Sequence, residues 1–138
     1  MISKKCDYAL RAILELALRD GKGPVTIGEL ARARNIPVRF LEAIMRQLKQ
    51  SGLADSARGK EGGYSLARPA QSLCVGDVIE IFEGRIDQRN RGHVPDVFEG
   101  LWKEADAAVQ AVYRNVTFGD LAEREIHRQD AEAENFSI

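Results

Sequence analysis

The apolar residues in the first third of the chain recur at helical spacing in three blocks, each bounded by helix-breaking residues. The first block follows Ser3, a residue type that caps helices, and its predicted buried face consists of Cys6, Leu10, Ile13, Leu14 and Ala17. Glycine and proline at positions 21–24 end this block. The second block begins with Thr26 and Glu29 at the spacing of a capping box. It ends at Asn35, a residue type that tolerates the left-handed conformation after a helix.

The third block predicts a helix from Pro37 to Gln50 with two different faces. Its apolar stripe lies at helical spacing and consists of Leu41, Ile44, Met45 and Leu48. At about 100° per residue, the opposite face carries Arg39, Ala43, Arg46 and Gln50, with Glu42 on its flank. One side of this helix is therefore predicted to be buried and the other to be exposed.

Two short strands and a fourth helix are predicted to follow. Residues 53–57 and 64–67 can pair across the glycine-rich loop 58–63, and Val25 is predicted to form a very short strand. A helix at about 75–83 then turns three apolar side chains inward: Val78, Ile79 and Phe82.

The pattern changes after the polar segment 84–93, which is predicted to be a mobile loop. Six apolar positions then keep a strict 4-3-4-3-4 spacing, typical of helices that pair along their length: Val94, Phe98, Leu101, Ala105, Ala108 and Val112. We expect this helix, at about 94–113, to form a dimer interface. Thr117 is predicted to cap a last helix that ends at about Arg128 and is followed by a frayed polar tail.

The composition is that of a globular protein. The 138 residues fit one domain of ordinary size. No apolar run approaches the roughly 20 residues that cross a bilayer, and the N-terminus lacks the apolar stretch of a secretory signal. The two cysteines, Cys6 and Cys74, make no disulfide framework. We therefore expect a cytoplasmic protein with no membrane partner.

Charge is distributed unevenly along the chain, although the net charge is only −1. Residues 1–70 carry 13 Lys and Arg against 7 Asp and Glu, whereas residues 71–138 carry 7 against 14. Neutralisation of phosphates dominates the affinity of proteins for nucleic acids. The basic half therefore indicates one end that binds a polyanion, and two merely solvated faces are the alternative.

The second and third blocks together have the organisation of a helix-turn-helix DNA-binding unit. Such a unit presents the N-terminal part of its second helix to the major groove. There Arg39 can bond guanine, Glu42 can accept from cytosine, and Ala43 can meet a thymine methyl group. Two basic residues further along are predicted to contact phosphates instead: Arg46 and Lys49. An ordinary helical hairpin inside a core is the alternative.

The glycine-rich loop between the two strands supplies a second candidate DNA contact. Its glycines allow the backbone to approach a surface closely, and Arg58, Gly59 and Lys60 suit a narrow minor groove. A nucleotide-cradling loop is disfavoured, because Lys60 is followed by Glu61 instead of Ser or Thr and no helix begins there. A plain tight hairpin is the remaining alternative.

Four stretches of the sequence together resemble the Rrf2 family of bacterial regulators. They are MISKKCDYALRAILELA, GPVTIGELARARNIPVRFLEAIMRQLKQSGL, RGKEGGYSLARP and VGDVIEIFEG. The resemblance is close over about residues 1–84 and resumes at Leu101-Trp102 and at 116–121. It places the family's recognition helix on residues 37–50 and its wing on residues 58–64.

The resemblance implies a mainly α-helical fold with a small β wing. A winged helix-turn-helix domain would occupy residues 1–84, with the helix-turn-helix at 27–50 and the wing at 53–67. A loop, a long dimerisation helix and a C-terminal helix would occupy residues 85–138. The implied function is transcription regulation, as a repressor, by a homodimer that binds double-stranded operator DNA. An effector protein or a small ligand would be a further partner.

The sequence departs from the cluster-binding members of the family, which carry three cysteines before the dimer helix. Residues 85–101 contain none, and an iron–sulfur cluster needs several thiolates converging on its irons. Asp7 lies where some relatives contribute a carboxylate ligand, but without thiolates we interpret it as a surface acid. His93 and His127 are interpreted as ordinary residues. We therefore expect no metal and no cofactor.

Other classes of function receive less support. The acidic C-terminal half also fits a winged-helix interaction module that does not bind DNA, and salt-dependent DNA binding separates the two. An enzyme is disfavoured, because no nucleophile–base–acid constellation, metal-ligand spacing or nucleotide fingerprint is visible. Cys6, beside Lys4 and Lys5 near a helix N-terminus, is a candidate redox switch. Its place in the apolar stripe favours a buried core residue instead.

Overall fold

The computed structural model describes residues 2–59, 62–85 and 96–136. In these ranges the chain forms helices α1 (Lys4–Leu18), α2 (Ile27–Arg34), α3 (Val38–Gln50), α4 (Val75–Glu83), α5 (Val97–Asn115) and α6 (Phe118–Asn135), strands β1 (Ala54–Ala57) and β2 (Gly63–Leu66), and one 3₁₀ turn (Ala70–Ser72). The predicted mainly helical fold with a small β wing is confirmed. Lys60, Glu61, His93 and Val94 lie outside the described residues, as does most of the predicted loop 84–93.

Helix α1 lies at the centre of the core and packs against α2, α3, α4, α6 and β2. Three residues of the predicted stripe, Cys6, Ile13 and Ala17, are buried, whereas Leu10 and Leu14 are only partly buried against the core. Ala9, Ala12 and Leu16 complete the buried face of α1 instead. Residues of α2, α3, α4 and α6, with Leu53 before β1 and Leu73 before α4, complete the core: Leu30, Leu41, Ile44, Met45, Leu48, Leu53, Leu73, Val78 and Phe118. The helix-turn-helix and the C-terminal helix α6 therefore share one apolar centre.

Side-chain caps define where α1, α2 and α6 begin. Ser3 caps α1 as predicted, because its hydroxyl accepts a hydrogen bond from the Cys6 amide at 3.1 Å. Thr26 caps α2 in the same way, since its hydroxyl accepts from the Glu29 amide. The other half of the predicted capping box, in which the Glu29 carboxylate accepts from the Thr26 amide, is wrong. The Glu29 carboxylate pairs with Arg19 at 3.3 Å. A complete capping box occurs instead at α6, between Thr117 and Asp120.

The wing is a two-stranded antiparallel hairpin with Ala54 opposite Leu66 and Ala57 opposite Gly63. Val25 adds the predicted short strand, and two hydrogen bonds of 2.8 Å join its backbone to that of Tyr64. A Cβ at Gly63 would overlap the carbonyl oxygen of Val25, so this close approach requires glycine. β1 begins one residue later than predicted, because the Leu53 amide bonds to the Leu48 carbonyl at the end of α3.

Three helix boundaries also differ from the prediction. Pro37 precedes α3 as its N-cap residue instead of forming its first turn. α5 begins at Val97, where the Asp96 side chain accepts from the Phe98 amide at 2.8 Å. α6 continues past Arg128 to Asn135, through residues with high helix propensity and through ion pairs that Arg128 makes with Glu125 and Glu132. No described helix combines the length and apolar character that a membrane span requires.

Candidate nucleic-acid interface

The turn between α2 and α3 fixes the angle at which the two helices meet. Asn35 has a left-handed backbone with φ of 53°, as its residue type predicts. The next amide, that of Ile36, bonds back to the Ala31 carbonyl at 3.0 Å, and both side chains are buried. The small Ala31 side chain lets the two helices approach closely.

Helix α3 has the two faces that the sequence predicts. Its stripe of Leu41, Ile44, Met45 and Leu48 is at most 1% exposed. The five candidate DNA-binding residues on this helix are all exposed: Arg39, Glu42, Ala43, Arg46 and Lys49. At 100° per residue they span about 120° of the helix surface. The fold therefore brings these five side chains together on one face that the core does not cover.

A buried ionic network, which the sequence analysis missed, fixes α2 to α1. Glu15 is only 9% exposed, and its carboxylate accepts from Arg19 at 2.7 Å and from Arg34 at 2.8 Å. Arg34 belongs to the last turn of α2, and Arg19 also pairs with Glu29 in its first turn. A carboxylate is buried at low cost only where it is paired and hydrogen-bonded. The signal in the sequence is a glutamate inside the otherwise apolar run at residues 12–18.

The wing lies beside the C-terminal end of α3. The Lys49 ammonium donates to the Ser56 hydroxyl on β1 at 2.6 Å. Arg58 and Gly59 follow β1 and are exposed, whereas Lys60 is outside the described residues. Lys49 therefore connects the exposed face of α3 to the strand that leads into the candidate wing contacts.

The apolar positions predicted for a dimer interface lie exposed on α5. Phe98 and Leu101 are 52% and 50% exposed, and Ala105, Ala108 and Val112 are exposed as well. Two more apolar side chains that the sequence analysis did not name share this face, Val97 and Val109. None of the residues of α5 is buried within the single chain.

The opposite side of α5 is fixed to α4 through Arg114. Its guanidinium pairs with Asp77 at 2.8 Å and with Glu80, both on α4. Burial lowers the pKa of Arg114, but its hydrogen bonds to Glu80, Cys74 and Asp77 outweigh that effect, so the pKa is raised and the charge is retained. Backbone hydrogen bonds at 2.9 and 2.8 Å also join residues 73–75 to residues 116–118. Among the residues described, α5 is therefore held on the side that faces α4.

Three comparisons with known proteins agree with one another. A family model described as "Rrf2: Iron-dependent Transcriptional regulator" matches residues 2–124. The chain is 29% identical over 127 residues to the HTH-type transcriptional regulator IscR of Klebsiella pneumoniae and to that of Escherichia coli, across 87% of this chain and 78% of each relative.

Solved structures give the same result. The structure of CymR, the global cysteine regulator of B. subtilis, is 33% identical and covers 90% of this chain and 97% of its own, with a TM-score of 0.81. The structure of T. potens IscR is 29% identical and covers 91% of this chain and 88% of its own, with a TM-score of 0.80. These relatives are regulators, which agrees with the sequence-based expectation that the chain is not an enzyme.

The iron dependence in the family description does not fit the donor groups of this chain. Cys6 is fully buried in α1, and Cys74 stands before α4, where its sulfur accepts from Arg114 at 3.6 Å. Asp7 pairs with Arg11 at 3.0 Å on the surface of α1. Within the described ranges, no three His, Cys, Asp or Glu side chains group so that they could hold a metal ion. The burial of Cys6 also favours the core role over the redox switch.

Proposed function

This chain belongs to the Rrf2 family of transcriptional regulators, and we propose that it binds duplex DNA as a homodimer and represses the genes it controls. Such a protein acts where bacterial DNA lies, in the cytoplasm. Its DNA binding would respond to an effector protein or a small ligand. The exposed face of α3 carries the proposal, because it presents Arg39, Glu42 and Ala43 beside a fully buried stripe.

Base recognition is assigned to the first two turns of α3. An α-helix fits the major groove, where Arg can bond guanine through two hydrogen bonds and Glu can accept from the cytosine amino group. Ala43 lies on the same face and offers a methyl group to thymine. Because α3 is held by its buried stripe, these side chains need no rearrangement of the core to reach the base edges.

Affinity for the phosphate backbone is assigned to the later part of α3 and to the wing. Arg46 and Lys49 are exposed beyond the base-reading turns, and the contact from Lys49 to Ser56 brings the wing alongside. Arg58 and Gly59 are exposed at the end of β1. Lys60, outside the described residues, belongs to the same proposed wing contact.

The homodimer would form along α5. Its exposed apolar face consists of Phe98, Leu101, Ala105, Ala108 and Val112, together with Val97 and Val109, and the proposed seam extends to Val94. A contiguous apolar surface of this kind usually marks an interaction site. A second copy of α5 carries the same surface, so pairing two copies would bury both. Two winged domains would then read two half-sites.

We also propose that the protein works without an iron–sulfur cluster, because two separated cysteines cannot supply the thiolates that a cluster needs. Protein purified without oxygen is expected to be colourless and iron-free. Absorbance near about 400 nm with stoichiometric iron and sulfide would contradict this.

The test of DNA binding begins with duplexes that the wild-type protein selects from a randomised library. The selected duplex and a scrambled duplex are then titrated at several salt concentrations. We expect tighter binding to the selected duplex and a steep decrease of affinity with salt, because each phosphate contact releases counterions. A dimeric protein that enriches no sequence and binds neither duplex would instead be a winged-helix interaction module.

A further inference from the structure

The exposed surface of α3 includes an apolar groove next to its base-reading residues. The groove has a volume of about 420 Å³ and is lined by Lys4, Lys5 and Tyr8 of α1 and by Phe40, Ala43 and Ile44 of α3. Phe40 is 46% exposed, although the core stripe of α3 lies directly beside it. Its aromatic ring therefore contributes little to the core and forms part of the surface that is proposed to meet DNA.

A row of three ring contacts leads from Arg39 on α3 to Lys4 on α1, and the middle contact, between Phe40 and Tyr8, joins the two helices. The Arg39 guanidinium carbon lies 4.8 Å from the centre of the Phe40 ring. The Phe40 ring stacks on the Tyr8 ring, with 6.5 Å between their centres and 29° between their planes. The Lys4 ammonium lies 5.7 Å from the centre of the Tyr8 ring. Tyr8 thus supports the ring that Arg39 covers.

The Phe40 ring, and not helix geometry alone, determines where the Arg39 guanidinium lies. The side chains of consecutive helix residues point about 100° apart, so an extended Arg39 side chain would point away from the Phe40 ring. Instead the side chain folds over the ring at a distance within the roughly 6 Å range of cation–π attraction.

We propose that Phe40, supported by Tyr8, is a positioning residue that orders Arg39 for base recognition before DNA binds. This proposal rests on the proposed function and adds a determinant of its sequence specificity. Arg has many rotamers, and ordering it in the free protein reduces the entropy lost when it bonds a base. Phe40 and Tyr8 would therefore change how strongly Arg39 binds its base pair, although neither ring contacts that base pair.

The test is a double-mutant cycle with Phe40→Leu, Arg39→Ala and the double variant, titrated against the selected and scrambled duplexes. We expect Phe40→Leu to weaken binding to the selected duplex by about two- to fivefold, the range of an exposed cation–π contact. It should relax the same base position as Arg39→Ala and leave the salt dependence unchanged. In the Arg39→Ala background Phe40→Leu should have no effect, and Phe40→Tyr, which keeps the ring, should bind like the wild type.

A matched control is Val38→Ala, which removes another side chain of 46% exposure from the same turn of α3. Its effect should add to that of Arg39→Ala. If Phe40→Leu does not fold, Tyr8→Leu replaces it in the same cycle, since it removes the support of the ring from α1.

The outcomes separate this inference from the proposed function. If the wild type selects a sequence and Arg39→Ala weakens binding, but the effects of Phe40→Leu and Arg39→Ala simply add, Phe40 does not position Arg39. An Arg39→Ala variant that binds like the wild type overturns the inference in the same way, while DNA binding stands. A wild-type protein that selects no sequence overturns both.

Discussion

Helices α3 and α5 are both amphipathic, yet within the described part of the chain α3 buries its apolar face and α5 leaves its own exposed. The stripe of α3, from Leu41 to Leu48, is almost completely buried against α1 and the rest of the core. The stripe of α5 is exposed along its length, with Leu101 at 50% and Val112 at 61%.

The difference shows that the same spacing of apolar residues has two structural consequences. In α3 the core takes up the apolar face, so the opposite face is presented to solvent with a fixed orientation. In α5 the polar side faces α4 through Arg114 and the apolar side is left outward. α3 is therefore suited to recognition by polar contacts, and α5 to burial against another apolar surface.

A charge on the exposed face of α5 should have the largest effect of any substitution proposed for this comparison. Leu101→Asp would place one carboxylate from each protomer in the proposed apolar seam, at a cost of several kcal/mol for each uncompensated charge. We expect a folded monomer or insoluble protein, measured by sedimentation. The matched control is Ala107→Asp, which adds the same charge on the other side of α5 and should remain dimeric. A fully dimeric Leu101→Asp variant would locate the interface elsewhere.

The same truncation in each helix separates the two kinds of apolar stripe. Leu48 is completely buried in the single chain, so Leu48→Ala should lower the free energy of unfolding by about 2–5 kcal/mol. Leu101 is half exposed, so Leu101→Ala should remove only about 1 kcal/mol per protomer. Because this loss weakens the dimer, the melting temperature of Leu101→Ala should depend more strongly on protein concentration than that of the wild type. A concentration-independent loss in both variants would mean that α5 does not pair.

Two arginines on the exposed face of α3 test whether one part of this face contacts bases and the other contacts phosphates. Arg39→Ala, like Glu42→Ala, should cost about 1–3 kcal/mol at the selected duplex and relax one base position in each half-site. Arg46→Ala should weaken binding to selected and scrambled duplexes alike and reduce the salt slope by about one ion. Titrations at several salt concentrations measure both. Full discrimination in the Arg39→Ala, Glu42→Ala double variant would contradict this division.

The local features of this chain could be predicted from its sequence, because each depends on residues close together in the chain. The stripe of α3, the left-handed Asn35 and the cap at Ser3 all follow from spacing and residue type. The stacking of Phe40 on Tyr8 could not be predicted in this way, because the position of Tyr8 relative to α3 depends on how α1 packs.

Contacts between elements far apart in sequence could not be predicted in this way. Glu15 and Arg34 are 19 positions apart, and Arg114 and Asp77 are 37 apart. Nothing in the local pattern pairs them, since many charged residues are available to each. Only the packing of α1 on α2 and of α5 on α4 selects the partners. The Glu15 network sets the place of α2 on α1, and the Arg114 contacts set the place of the helix proposed to pair.

The smallest effect on stability is expected where α5 contacts α4. Arg114→Met keeps much of the aliphatic stem next to Gly76 but removes the ion pairs to Asp77 and Glu80. These groups are partly exposed and screened by solvent, so the loss in unfolding free energy should be below about 1 kcal/mol. The apolar face of α5 is unchanged, and the variant should therefore stay dimeric. Arg128→Met, which removes ion pairs within α6 only, is the matched control.

The effect of Arg114→Met should appear instead in the geometry of DNA binding. A dimer reads two half-sites at a fixed separation only if α5 holds both winged domains at fixed angles. Duplexes with one base pair inserted between the half-sites should therefore weaken binding of the wild type and of Arg128→Met more than that of Arg114→Met. Equal penalties for all three proteins would mean that the backbone bonds between residues 73–75 and 116–118 are sufficient to orient α5. In that case Arg114 would contribute to the attachment of the helix but not to its direction.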